Sequence, residues 1–122
     1  MKIIKPSKLN RGDKVGIVAS SDALLNKNKL KKGVRVLEDF GFKVVLGKNI
    51  FKWHGDYMAG MDKERARDLN WMFANKSVKG IFCLVGGSSA NRLLPLVDFN
   101  LIKKNPKVFV GFSDITTLLL AI

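Results

Sequence analysis

The residues best placed to do chemistry lie in the run Gly111-Phe112-Ser113-Asp114-Ile115-Thr116. A serine directly after an apolar strand, on a tight turn into a helix, has the geometry of a nucleophile elbow. Such a turn holds Oγ out at the helix start, where the backbone N–H of the next residue can face a developing oxyanion. The glycine that usually stands two positions after such a serine is replaced by Ile115. On spacing alone Ser113 has a second reading as a helix cap, with Asp114 favoured in the first turn by the helix dipole. Both readings stay open at this level.

Two other segments leave strand ends in unusual ways. Gly86-Gly87-Ser88-Ser89 allows close backbone approach and offers free N–H groups to an anion or oxyanion. Its spacing matches neither the dinucleotide fingerprint nor the P-loop, so a plain strand-to-helix turn remains an equal reading. Ser20-Ser21-Asp22 reads first as loop and cap chemistry and second as an anion site. His54 sits in a loop with Trp53, Gly55 and Asp56 and reads as exposed or structural. Cys83, inside an apolar strand, reads as a small buried hydrophobe. The charges from Asp62 to Asp68 read as a capped, salt-bridged helix face rather than a carboxylate dyad. One His and one Cys cannot furnish a His/Cys zinc site, so neither a metal nor a cofactor is expected.

These segments need a scaffold, and the hydropathy pattern supplies one. Apolar, β-branched runs at 14–19, 42–46, 79–85 and 107–110 read as strands. Between the first two, Leu30, Val34, Leu37 and Phe40 recur at helical spacing, closed by Gly41. Ala66, Leu69, Met72 and Phe73 form the face of a second helix, and a looser segment runs from Lys48 to Gly60. A third helix is expected through Asn91-Arg92-Leu93-Leu94, with Pro95 tolerated only near an end or kink. A last helical stretch opens at Ser113. Alternating strands and helices with continuous apolar strands predict an α/β fold: an open parallel sheet with helices on both faces. In such sheets ligands gather at the carboxyl ends of the strands, where all three candidate segments lie.

Composition excludes several classes. The chain has 122 residues, 47% of them apolar and 26% charged, which is ordinary globular composition for about one domain. The apolar run Leu118-Leu119-Leu120-Ala121-Ile122, which no other exceeds, falls far short of the roughly 20 residues of a membrane span. Lys2 and Lys5 are followed by Pro6 rather than an apolar stretch, so no secretory signal is read. A lone cysteine excludes an internal disulfide. The formal charge of +12 invites a nucleic-acid reading, but the bases are scattered, lysines predominate and no aromatic residues interleave with them. A solvated basic surface is the expectation. A flavodoxin-like phosphate-binding module and a basic nucleic-acid binder are the alternatives of another class.

Four ordered blocks resemble the LD-carboxypeptidase family of serine peptidases, which includes the microcin C self-immunity peptidases. They are Gly12 to Ala19, Ala59 to Asn70, Gly86-Gly87 through Asn91-Arg92-Leu93-Leu94-Pro95, and Asn105 to Thr116. The resemblance implies a flavodoxin-like, class I glutamine amidotransferase-like N-terminal domain over 1–122. It implies that Ser113 is the nucleophile, that the backbone N–H of Asp114 and one from Gly86-Gly87 form the oxyanion hole, and that Ser88 and Ser89 meet the substrate. It further implies a cytoplasmic enzyme cleaving the L,D peptide bond of murein tetrapeptides through an acyl-enzyme, or a peptidyl-nucleotide amide in the microcin branch. Many murein-recycling members carry Arg before the glycine pair and Tyr-Gly after it. Here Val85 precedes it and Ser88-Ser89 follow, and Ser20 replaces the commoner Pro, departures that bear on the substrate rather than the reaction class. Family members are more than twice this length, and their base His and orienting Glu lie in a C-terminal domain. No residue here matches those two, so the chain is expected to be a truncated, inactive N-terminal part. Its apolar last residues are expected to be hidden by self-association or a homodimer.

Overall fold

The computed structural model describes residues 2–122. Four strands, β1 (Lys14–Val18), β2 (Lys43–Leu46), β3 (Val78–Cys83) and β4 (Val108–Val110), form one sheet. All pair in parallel, in the order β2-β1-β3-β4. Four helices accompany them: α1 (Lys27–Asp39), α2 (Asp62–Ala74), α3 (Phe99–Lys104) and α4 (Thr116–Ala121). Short 3₁₀ segments cover Ala90–Leu96 and Ser113–Ile115. This is the open parallel α/β sheet, of flavodoxin-like type, that the apolar runs require.

The sheet is buried on both faces because side chains alternate along each strand. From β1 and its continuation, Val15, Ile17 and Ala19 pack with Leu30 and Leu37 of α1. Val18 points the other way, into a core built with Leu69, Met72 and Phe73 of α2, Ile102 of α3 and Leu118 of α4. Helix α1 therefore covers one face, and the remaining helices cover the other.

Local chemistry sets the helix ends. Asn26 caps α1, its side chain accepting from Asn28 N at 2.9 Å, so the Ser20-Ser21-Asp22 turn is not that helix's cap. At the far end Gly41 adopts φ +94, its N–H donating to Glu38 O and the next N–H, of Phe42, to Leu37 O. That is a Schellman stop, which a Cβ would disfavour. Phe40 lies at the turn itself and is 64% exposed rather than part of the apolar face. At the end of α2, Lys107 Nζ donates to Met72 O at 2.7 Å and to Asn75 O at 2.5 Å. A cation there satisfies carbonyls that the helix leaves unpaired. Burial pulls the Lys107 ammonium down to about 8.

Three expectations need correcting. The helix expected through Asn91–Leu94 is a 3₁₀ segment with Pro95 inside it, as befits a residue that cannot donate to a longer ladder. Helix α3 was not expected. The face of α2 is not a solvated charge run throughout, because Arg65 and Asp68 are buried. Asp68 accepts from Asn49 N and Nδ2, which stitches α2 to the loop after β2, and burial raises its pKa. Of the apolar run at 118–122, Leu118 is fully buried whereas Leu120 is 85% exposed. Among the described residues no helix is long and apolar enough to cross a membrane.

Candidate active site

From β1 the chain moves outward to β2, whereas from β3 it moves the opposite way to β4. The sheet order thus reverses between β1 and β3, and a crevice opens there beyond the carboxyl ends of the strands. The loops after β1, β3 and β4 meet at this crevice: Ser20-Ser21-Asp22, Gly86 to Ser89, and Gly111 to Asp114.

Ser113 has φ 56, and it is the one non-glycine residue at positive φ among the described residues. A left-handed non-glycine backbone costs about 1–3 kcal/mol and persists where its surroundings over-determine it. The side chain is exposed and makes no capping hydrogen bond; Phe112 and Ile115 hold the cap positions of the two helical turns. Of the two readings the sequence left open, the turn thus has the strained, outward-facing form of an elbow. The N–H of Asp114 falls at the second position of the 3₁₀ turn, where no intrahelical acceptor exists.

In the facing loop one glycine permits a close approach and the next takes a positive φ. A Cβ on Gly86 would stand 3.0 Å from Ser113 Oγ and 3.3 Å from Asp114 N, so the two loops touch with only a hydrogen between them. Gly87 has φ +146, and a side chain there would collide with Asp22 and Ser21. Gly86 O in turn accepts from Asp22 N at 3.1 Å. Ser88 is exposed at the rim. Ser89, expected beside it at the substrate, is instead 1% exposed, its hydroxyl accepting from Arg65 NH1 at 2.9 Å. It therefore supports the loop from within.

Two charged groups hold these loops together, and sequence reasoning missed both roles. Buried Arg65 donates through NH1 to Ser20 O and Ser89 O, each at 3.1 Å, and through NH2 to Asp62 Oδ1. Asp62 also receives Arg92 Nε at 3.0 Å on both oxygens; that pairing first, and the Arg65 charge after it, hold its carboxyl below the usual range. The signal was present: Arg65 shares the apolar stripe of Leu69 and Met72 at spacings of four and seven. The second group is the Asp114 carboxylate, whose Oδ2 accepts from Ser21 Oγ at 2.5 Å and Ala90 N at 2.9 Å.

The remaining candidates stay apart from this chemistry. Burial pushes the Cys83 thiol up to about 12, and the thiol makes a long hydrogen bond with Ser20 Oγ at 4.0 Å. His54 is exposed and held in its loop by backbone bonds with Met58. Among the described residues no imidazole or carboxylate hydrogen-bonds Ser113 Oγ, and no group of three or more His, Cys, Asp or Glu could hold a metal. What the arrangement offers is a strained, exposed hydroxyl beside backbone N–H groups.

Comparison with known proteins gives the family. Residues 15–122 match the family model described as the LD-carboxypeptidase N-terminal domain. The "probable murein peptide carboxypeptidase" of Bacillus subtilis is 44% identical over 118 residues, covering 97% of this chain and 36% of that protein. The microcin C7 self-immunity protein MccF of Escherichia coli is 39% identical over 113 residues, covering 91% and 33%. Among solved structures, wild-type apo MccF superposes with a TM-score of 0.90 at 37% identity, over 96% of this chain and 35% of that one. A muramoyltetrapeptide carboxypeptidase from Oxalobacter formigenes gives 0.78 at 30% identity, over 88% and 35%. The chain spans about a third of the length of the curated relatives it matches. By the family model and by these identities, the chain belongs to the LD-carboxypeptidase family.

Proposed function

We propose that this chain is the nucleophile-bearing part of a serine carboxypeptidase, with Ser113 attacking the carbonyl of an L,D peptide bond in a murein tetrapeptide. The observation that carries this reading is the left-handed backbone of Ser113 at a strand end, its Oγ facing Gly86 across the crevice. The tetrahedral oxyanion is received by the N–H of Asp114 and one from the Gly86-Gly87 turn. Collapse expels the leaving amine and leaves an acyl-enzyme on Ser113, which water hydrolyses. Ser88, exposed at the rim, contacts the substrate. The base that takes the Ser113 proton and the carboxylate that orients it come from outside these residues, so the 122-residue chain alone is inactive.

A second reading, a microcin-type peptidyl-nucleotide amide hydrolase, is favoured by the loop itself. Val85 before the glycine pair and Ser88-Ser89 after it depart from the murein-recycling pattern. In the full-length protein, Ser113→Ala should abolish cleavage, and a fluorophosphonate should label Ser113. Cleavage of the tetrapeptide supports the first substrate, and cleavage of an aminoacyl sulfamoyl nucleoside or its peptidyl form supports the second. Undiminished turnover by Ser113→Ala rejects the mechanism outright.

A further inference from the structure

Strand β4 is three residues long and pairs only with β3, and their ladder ends at Phe82↔Val110. The groups that must face each other, Gly86 and Ser113, lie beyond that ladder. Something else has to set the gap between them.

The side-chain hydrogen bonds that tie the Ser113 turn to the other two loops converge on one atom. Asp114 Oδ2 accepts from Ser21 Oγ at 2.5 Å, in the loop after β1, and from Ala90 N at 2.9 Å, at the end of the loop after β3. Ser21 Oγ itself accepts from Ser89 N at 3.4 Å. Ser21 and Ala90 are fully buried, so without the carboxylate both donors lose their partner where water cannot replace it. Arg65 fixes the first two loops to each other but makes no bond to the Ser113 turn. Asp114 is therefore the side chain that joins the nucleophile turn to the rest.

Resting on the assignment of Ser113 as nucleophile, we propose that the Asp114 carboxylate, with the Ser21 hydroxyl, is a positioning pair: it fixes the oxyanion donors against Ser113 and so sets turnover rather than substrate affinity. A group misplaced by about 1 Å costs on the order of 100-fold in rate, and that is the effect expected of Asp114→Ala on kcat. Ser21→Ala, which leaves the Ala90 bond, should cost on the order of 10-fold.

The test is steady-state kinetics of the full-length protein on the substrate that it cleaves, with thermal unfolding alongside. The expected result is a fall in kcat with KM within about threefold, since only binding made in the transition state is lost. Asp114→Asn keeps an oxygen acceptor and should recover about 10-fold over Asp114→Ala. The double variant Ser21→Ala/Asp114→Ala should be no slower than Asp114→Ala alone, because the two side chains act as one link. Wild-type kcat in a folded Ser21→Ala protein, or a fall in apparent kcat no larger than the fall in folded fraction, overturns the proposal. Should Asp114→Ala fail to fold, Ser21→Ala and Asp114→Asn carry the same test. Activity in Ser113→Ala would instead sink the nucleophile assignment.

Discussion

Adding a single methyl at Gly86 gives a direct measure of whether the space between the glycine loop and Ser113 is where reaction occurs. In Gly86→Ala the new Cβ would lie 3.0 Å from Ser113 Oγ, 3.1 Å from Ser113 Cβ and 3.3 Å from Asp114 N. Carbon contacts relax at about 3.5–4.0 Å, so the loops must part by roughly half an ångström. An oxyanion bound by Asp114 would sit about 2.7–3.1 Å from that same nitrogen, in the volume that the methyl fills. Removing one oxyanion donor costs about 100- to 1000-fold in kcat, or about 2.7–4 kcal/mol of transition-state binding. Stability should barely respond: Gly86, unlike Gly87, does not adopt positive φ, and its loop borders solvent, so a change of about 1 kcal/mol or less is expected. The assay is kcat and the rate of fluorophosphonate labelling in the full-length protein, with a denaturation curve in parallel. A folded Gly86→Ala protein with kcat and labelling within threefold of the parent would refute this account of the crevice.

Gly87→Ala should behave in the opposite way. Positive φ and a collision with Asp22 and Ser21 predict a loss of about 2–4 kcal/mol in denaturant unfolding, whatever the activity. Arg65→Met removes a buried guanidinium that satisfies two carbonyls and a hydroxyl, and should cost about 3–5 kcal/mol by the same measurement. Asp62 links stability to acid. Because Arg92 and Arg65 lower its pKa in the folded state, its contribution is present above the ordinary carboxylate value and is lost as pH falls through the lowered one. Asp62→Asn should flatten the acid limb of a stability–pH curve, and an unchanged slope would exclude the linkage.

Much of the scaffold could be read directly from the residues. Unbroken apolar runs around Val15, Val44, Ile81 and Phe109 suit strands of a covered parallel sheet, and all four fall within the sheet. The stripe Ala66, Leu69, Met72 and Phe73 is buried as its period demands. Helix α3 was illegible because six residues, Phe99–Lys104, complete fewer than two turns and cannot display a period. At the site, residue type pointed to Ser113 but could not give its backbone, since serine adopts φ 56 only where tertiary contacts enforce it. The inward turn of Arg65 and the reach of Asp114 to Ser21 depend on partners 45 and 93 positions away. Local pattern carries no record of such distances.

The restraints on the glycine loop all lie on its inner side: Arg65 beneath Ser89, Asp114 against Ala90, Asp22 against Gly86. Val85 and Ser88 take no part in them and remain exposed. On the proposed assignment of Ser113, substitutions at those two exposed positions would leave the hydroxyl and its N–H groups in place. Under the proposed function, such separability would let a lineage exchange one amide substrate for another without rebuilding Ser113 and its N–H donors.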